Sequence, residues 1–309
     1  MEQYNEILFS GEKEKAWLIE KTGVSPESIT TMPGGSLLWE KDGIGKSILL
    51  LFRFTPIGAT VSGQQESKYK MHPFDGCKVE VLTDSICNFN AETIGTLRTQ
   101  NEKLFLKTLD DIHIGDAIYP TTEYICKDNL LYGTNASVAA LFSMMIKCVS
   151  PLQTVSCPVT VAFMNESVDG IEETLGLISK KAPDCLLICS AAIDGDLLHS
   201  GKGVGVCIKD GNCFIDKDIY QSMQNIAEEN GIDTQSFVGD TKSSLSQLYL
   251  AAKTKKMAGF YLPVAGLGSR TEEISLSDVE KTQNLVLKYA ETFAIIDKNM
   301  FEYRRDLDK

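Results

Sequence analysis

The run from Cys157 to Met164, Cys-Pro-Val-Thr-Val-Ala-Phe-Met, most narrows what this chain can fold into. β-branched, aromatic and small apolar residues follow one another without polar alternation. That fits a strand covered on both faces, as in parallel sheets flanked by helices. At Asn165-Glu166 the texture turns polar, and a helical pattern begins after Gly170. Open α/β sheets place their ligands at this end of a strand, which makes Asn165, Glu166 and Asp169 the first candidates for chemistry.

The same alternation continues downstream. Residue patterns predict a helix over 171–179, a strand over 185–191, a hairpin across Lys209-Asp210-Gly211-Asn212 and a helix over 218–230 stopped by Gly231. A short strand at 236–238, a helix over 243–253, a strand over 259–262 and a long helix over 277–296 complete the series. Strands separated by helices define the fold class as α/β, with a largely parallel sheet and helices on both faces. Upstream, 133–147 is apolar on nearly every side and reads as a buried helix. Residues 12–21 read as a short amphipathic helix closed by Gly23, and 36–40 and 47–54 as strands. The intervening Lys41-Asp42-Gly43-Ile44-Gly45 predicts that this pair forms an antiparallel hairpin. Gly45-Lys46-Ser47 imitates the end of a P-loop. However, Glu40 stands where its first glycine belongs, and a strand follows where a helix N-terminus must receive phosphate.

Between residues 59 and 120 the pattern changes to short alternating runs at 78–82, 93–98, 103–107 and 117–119, with His113-Ile114-Gly115-Asp116 as a tight turn. This predicts a small inserted domain of β-barrel type, leaving a discontinuous α/β domain of residues 1–58 and 121–309.

A formal net charge of −12 over 309 residues argues against nucleic acid as a partner, since such binders cluster Lys and Arg to neutralise phosphates. No apolar run is long enough to span a membrane. Of the nine cysteines, Cys148, Cys157, Cys185, Cys189 and Cys207 sit in apolar runs as small buried hydrophobes. Cys185 and Cys189 share a strand face but lie too far apart for an easy disulfide. The odd count and the absence of a signal peptide lead to a cytoplasmic expectation.

In order of parts the chain resembles the dinuclear zinc or cobalt aminopeptidases that include the tetrahedral, glutamyl and deblocking enzymes and relatives named as endoglucanases. The resemblance rests on the N-terminal helix and strands, the inserted β domain, the buried small-residue helix, the strand ending in an acidic turn, and Tyr261-Leu262-Pro263 through Ser277-Asp278-Val279-Glu280. It implies a His and an Asp, two further carboxylates and a second His as metal ligands, with a separate Glu as base for a metal-bound water. In Phe52-Arg53-Phe54-Thr55-Pro56-Ile57-Gly58, the resemblance puts Arg53 at the His position and Thr55 at the Asp position. It puts Gly133 and Thr134 at the bridging Asp, Asn165 at the base, Ser190 at a further Asp, and Gly268 or its neighbours at the last His. Glu166 is the one ligand-type residue left in this alignment. No metal or other cofactor is therefore expected.

His72, His113 and His199 are the chain's histidines, and none falls beside Glu166 in this reading. A guanidinium on an apolar strand needs an acceptor, so Arg53 is expected to pair with Glu166 in place of the metal. Asp169 reads as a helix N-cap with Glu172 three residues on. The turn at Gly201-Lys202-Gly203 and the run Lys253 to Lys256 are explained by ordinary turn and helix-end chemistry, whereas Ser269-Arg270 could hold an anion but, with no base His nearby, is a poor candidate for a nucleophilic serine. The leading expectation is a pseudoenzyme of aminopeptidase fold that binds a peptide-like ligand or assembles as a homo-oligomer. The alternative is a divergent hydrolase of peptides, or less readily glycans, with zinc or cobalt in a site rearranged around Glu166, Asp194, Asp196 and Asp240. A purely structural subunit is a third reading.

Overall fold

The computed structural model describes residues 12–32, 35–56, 59–60, 78–83, 90–100, 103–107, 117–120, 124–166, 171–195, 197–211, 213–239, 245–254 and 256–307. The chain opens with α1 (Glu12–Thr22), β1 (Ile29–Thr31), β2 (Leu37–Lys41) and β3 (Ile48–Phe54). Next come β4 (Ala59–Thr60), β5 (Lys78–Thr83), β6 (Asn90–Gln100), β7 (Lys103–Lys107) and β8 (Ala117–Pro120). The middle holds β9 (Ile125–Lys127), β10 (Leu130–Gly133), α2 (Ala136–Leu152), β11 (Val159–Asn165), α3 (Glu172–Lys181) and β12 (Cys185–Ile193). The last third holds β13 (Val204–Asp210), β14 (Cys213–Phe214), α4 (Lys217–Glu229), β15 (Thr234–Val238), α5 (Leu245–Ala252), β16 (Met257–Val264), β17 (Glu272–Ser275) and α6 (Leu276–Leu307).

A nine-stranded sheet runs in the order β1-β2-β11-β3-β12-β16-β13-β14, with β15 added beside β13. Its centre, β11-β3-β12-β16, is parallel throughout, while β2 and β13 join antiparallel on either side. Every residue of β3, β11 and β16 is buried, as the unbroken apolar runs predict. Each buried Leu, Ile or Phe in these strands contributes about 1.5–3 kcal/mol by leaving water. Helix α2, buried on nearly all sides, packs on β3, β11 and β12 and against α1 and α6. No helix among the described residues is long and apolar enough to cross a membrane.

Strands β4 to β8 make a separate five-stranded antiparallel sheet in the order β4-β8-β5-β6-β7, where the inserted β domain was expected. The His113 turn lies outside the described residues. A third sheet, β17-β10-β9, is antiparallel and was not predicted. Its local signal is Asp128-Asn129, both left-handed at φ 52° and 64°, the conformation of a type I′ hairpin turn. Helix α6 also runs on beyond 296, the end expected from its apolar pattern.

The expected β2–β3 hairpin does not form. Strand β11 lies between the two, antiparallel to β2 and parallel to β3. The Gly-rich turn instead wraps the entry of β11: the Ile44 amide donates to the Ser156 carbonyl at 2.9 Å, and the Ile48 amide to the Pro158 carbonyl at 3.0 Å. A Cβ on Gly43 would stand 2.3 Å from the carbonyl carbon of Cys157. Glycine is needed here for close passage of two backbones. Gly43→Ala is expected to lower stability by about 1–3 kcal/mol, the usual range for overpacking. Urea unfolding measures it, and an unchanged midpoint contradicts this account.

Candidate functional site

The parallel centre brings the C-terminal ends of β11, β3, β12 and β16 side by side. Register places Met164, Arg53, Ser190 and Tyr261 in one row across them. Residues level with one another on neighbouring parallel strands face the same way, so Arg53, Ser190 and Tyr261 share a sheet face.

Arg53 is 8% exposed. Its Nε donates to Glu166 Oε1 at 2.8 Å and its Nη2 to Glu166 Oε2 at 2.7 Å, a bidentate fork. This is the pair expected from the sequence. The two side chains are 9% and 13% exposed, so the contact is largely shielded from solvent. Thr174, wholly buried in the first turns of α3, adds a hydroxyl bond to Glu166 Oε1 at 3.0 Å. The Glu166 amide donates to the Phe54 carbonyl at 3.0 Å, extending the β11–β3 pairing by one residue. Ser190 Oγ donates to the Arg53 carbonyl at 3.3 Å.

Asn165 is buried, and its amide donates to Ser36 Oγ at 3.0 Å, whose hydroxyl in turn donates to Glu173 Oε2 at 2.6 Å. Glu166 and Asn165 thus both fasten the end of β11 to α3, one through Thr174 and the other through Ser36 and Glu173. Sequence reasoning missed Ser36, Glu173 and Thr174, whose roles depend on which helix returns over the strand end. Helix α3 begins with Ile171 at its cap and no side-chain cap bond, and Asp169 lies outside the described residues.

A second group gathers Thr134 and Gly268. The hydroxyl of Thr134 donates to the Arg270 carbonyl at 2.6 Å. Glu272, 1% exposed, accepts from the Ser137 amide at the start of α2 at 2.8 Å and from the Gly268 amide at 3.1 Å. Burial raises the Glu272 pKa above the ordinary carboxylate value, and the two amide donors oppose that rise. Gly268 has φ +77°, with open space where a Cβ would stand.

Asp194 lies elsewhere in the loop after β12. It accepts from the Ser200 amide at 3.3 Å and stands 3.6 Å from His199 Nδ1. No bond joins it to Glu166. Asp196 and Asp240 lie outside the described residues, and Thr55 is exposed. Beside the row, Tyr261 donates its hydroxyl to Asp210 in a buried contact. Burial first, then the neighbouring Cys207 and Asp210, push the Tyr261 pKa far up, with Arg53 acting the other way. A phenol held neutral in this way keeps its proton and can donate it to the Asp210 carboxylate. Cys126, Cys148, Cys157, Cys185, Cys189, Cys207 and Cys213 are free thiols, and burial pushes Cys148 and Cys185 up to about 12.

For a metal, the row offers one carboxylate, Glu166, and both of its oxygens are engaged by a cation. Among the described residues no three His, Cys, Asp or Glu side chains are grouped to hold an ion.

A mostly parallel sheet with this strand order, flanked by helices and carrying a separate antiparallel sheet, is an aminopeptidase-type α/β fold. A family model described as M42 glutamyl aminopeptidase matches residues 182–285. Among solved structures, an aminopeptidase from the archaeon Desulfurococcus kamchatkensis superposes with TM-score 0.76 at 15% identity, covering 92% of this chain and 90% of its own. The TET1 peptidase of Pyrococcus horikoshii, which assembles into a tetrahedron or a large octahedral shell, gives 0.74 at 16% identity, covering 94% and 97%. An endoglucanase from Thermotoga maritima gives 0.71 at 18% identity, covering 96% and 97%. At these identities the likeness establishes the fold. No curated protein matches the chain by sequence.

Removing one partner of a shielded ion pair strands the other charge. Arg53→Met is therefore expected to cost about 3–5 kcal/mol. Adding Glu166→Gln, which removes the stranded charge and keeps an acceptor for Thr174, is expected to recover part of that loss. A double-mutant cycle in urea tests both steps. Equal stability of Arg53→Met and the native chain refutes the pairing argument.

Proposed function

We propose that the chain derives from the M42 glutamyl and TET-type aminopeptidases, and that the Arg53–Glu166 ion pair stands where those enzymes hold a dinuclear centre. The reading is a pseudo-peptidase whose cleft binds peptide-like ligands, or which serves in a homo-oligomer like the assembly named for the Pyrococcus horikoshii protein. Its family origin is supported by the match over residues 182–285 and by likeness of fold across nearly the whole chain. Its inactivity rests on one observation, the bidentate fork from Arg53 to Glu166.

The donor chemistry does not suit a pair of divalent cations. A guanidinium brings a fixed positive charge into the row and consumes the carboxylate that would ligate. Thr134, Asn165 and Ser190 are neutral, and Gly268 has no side chain. An amide at Asn165 does not accept a proton from water at neutral pH, so the general base is absent along with the ligands. No catalytic step is derived through a metal.

The second reading is a hydrolase with a rearranged site, favoured by the partly exposed Asp194 carboxylate beside His199. The two separate cleanly. Protein incubated with zinc or cobalt and then dialysed is expected to retain no stoichiometric metal by elemental analysis. It is also expected not to hydrolyse leucyl- or glutamyl-p-nitroanilide. Stoichiometric metal with turnover abolished by Glu166→Gln overturns the pseudo-peptidase reading. Turnover abolished by Asp194→Asn as well as by Glu166→Gln favours the rearranged site.

A further inference from the structure

A pocket of about 340 Å³ lies between α1 and α2, away from the strand ends. It forms because α2 presents short residues where α1 crosses it. Ala139 and Phe142, followed one turn later by Ile146, lie along one stripe of α2, and Trp17 comes from α1. The Trp17 and Phe142 rings stand 6.0 Å apart at 35°, an apolar wall whose floor is the buried Ala139. Lys21, in the last turn of α1, and Lys147, on α2, also line the opening. Lys21 contacts Glu20 at 3.0 Å, but both side chains are exposed, and such a pair is held weakly.

We propose that this pocket binds an amphipathic monocarboxylate, a straight-chain acid or aryl acid of about ten carbons, with its apolar body over Ala139 between Trp17 and Ile146 and its carboxylate at Lys21 and Lys147. Three features select that class. The volume lies at the lower end of the roughly 300–1,000 Å³ usual for small-ligand sites, which favours a small body. Trp17, Phe142, Ile146 and Pro151 line it together with Ser143 and Ser150, so an apolar body has aromatic and aliphatic walls to lie against. The charged groups lining it are both lysines on a chain of net charge −12, so the ligand is an anion. The site does not depend on the fate of the metal centre, because none of its residues belongs to the strand-end row.

The chain supplies its own reporter. It has two tryptophans, and Trp39 in β2 is 2% exposed, so a change in emission on adding ligand reports Trp17. Titration of the full chain with decanoate is expected to give a saturable change below about 1 mM. Decanol, which has the same chain without the charge, is expected to bind more weakly. Ser143→Leu, at a half-buried lining residue, obstructs the pocket and is expected to abolish the response. If that variant does not fold by circular dichroism, the surface double variant Lys21→Gln with Lys147→Gln decides, with an expected loss of roughly fivefold, as for exposed charge pairs. No saturable change with decanoate overturns the proposal. So does equal affinity for decanol, or a response that light scattering traces to a second copy of the chain covering the pocket.

Discussion

The guanidinium of Arg53 sits in a strand whose seven residues are all buried, and that charge constrains everything around it. A charge removed from water must be paired and fully hydrogen-bonded, or its desolvation cost of several kcal/mol remains uncompensated. Register leaves few acceptors within reach. Met164 on one side and Ser190 on the other lie level with Arg53, and the first carboxylate past the end of β11 is Glu166. The acceptor is thus set by strand order and by the length of β11. Glu166 then draws in Thr174, and Asn165 draws in Ser36 and Glu173, so the first turns of α3 are positioned by the same requirement. Apolar residues of similar volume would stabilise the strand as well or better. What the ion pair adds is a fixed tie between the end of β11 and Thr174 of α3.

Other donors at this end of the molecule are satisfied in the same internal way. The amide that opens α2 at Ser137 and the amide of Gly268 converge on Glu272, and the Gly201 and Gly203 amides converge on Asp278 at 2.5 and 2.9 Å. Burial raises the pKa of both carboxylates while these bonds lower it. Helix starts and glycine turns offer amides that attract anions. Here the protein's own carboxylates occupy them.

What was legible in the sequence was whatever follows from local texture and elementary cost. The unbroken apolar run of β11 marked it as covered on both faces, and β3 and β16 were legible as strands. An arginine inside one of them required a partner, and a nearby glutamate at a strand end could supply it. The β2–β3 hairpin failed for a non-local reason. A Gly-rich turn tells that the chain reverses, but not that a third strand more than a hundred residues away will enter between the two arms. The close passage of Gly43 over Cys157 is the mark of that entry, and it is visible only in three dimensions. Tyr261 and Asp210 were not linked for the same reason, since their bond spans two antiparallel strands whose pairing the sequence does not specify. The hairpin at Asp128-Asn129 was legible in principle, because adjacent Asp and Asn tolerate left-handed backbone, but the flanking strands are too short to show alternation.

The arrangement at the strand ends also bears on why a fold of this kind can survive the loss proposed for its centre. A dinuclear site gathers several carboxylates whose mutual repulsion is relieved by the metal, so its apo form carries an electrostatic penalty. Exchanging that set for one arginine and one glutamate leaves a locally neutral pair that needs no ion. The neighbouring Asn165 and Ser190 add no charge. In such a chain the sheet and its helices are stable without metal, and selection on the fold can continue through binding or assembly after selection on catalysis has ended.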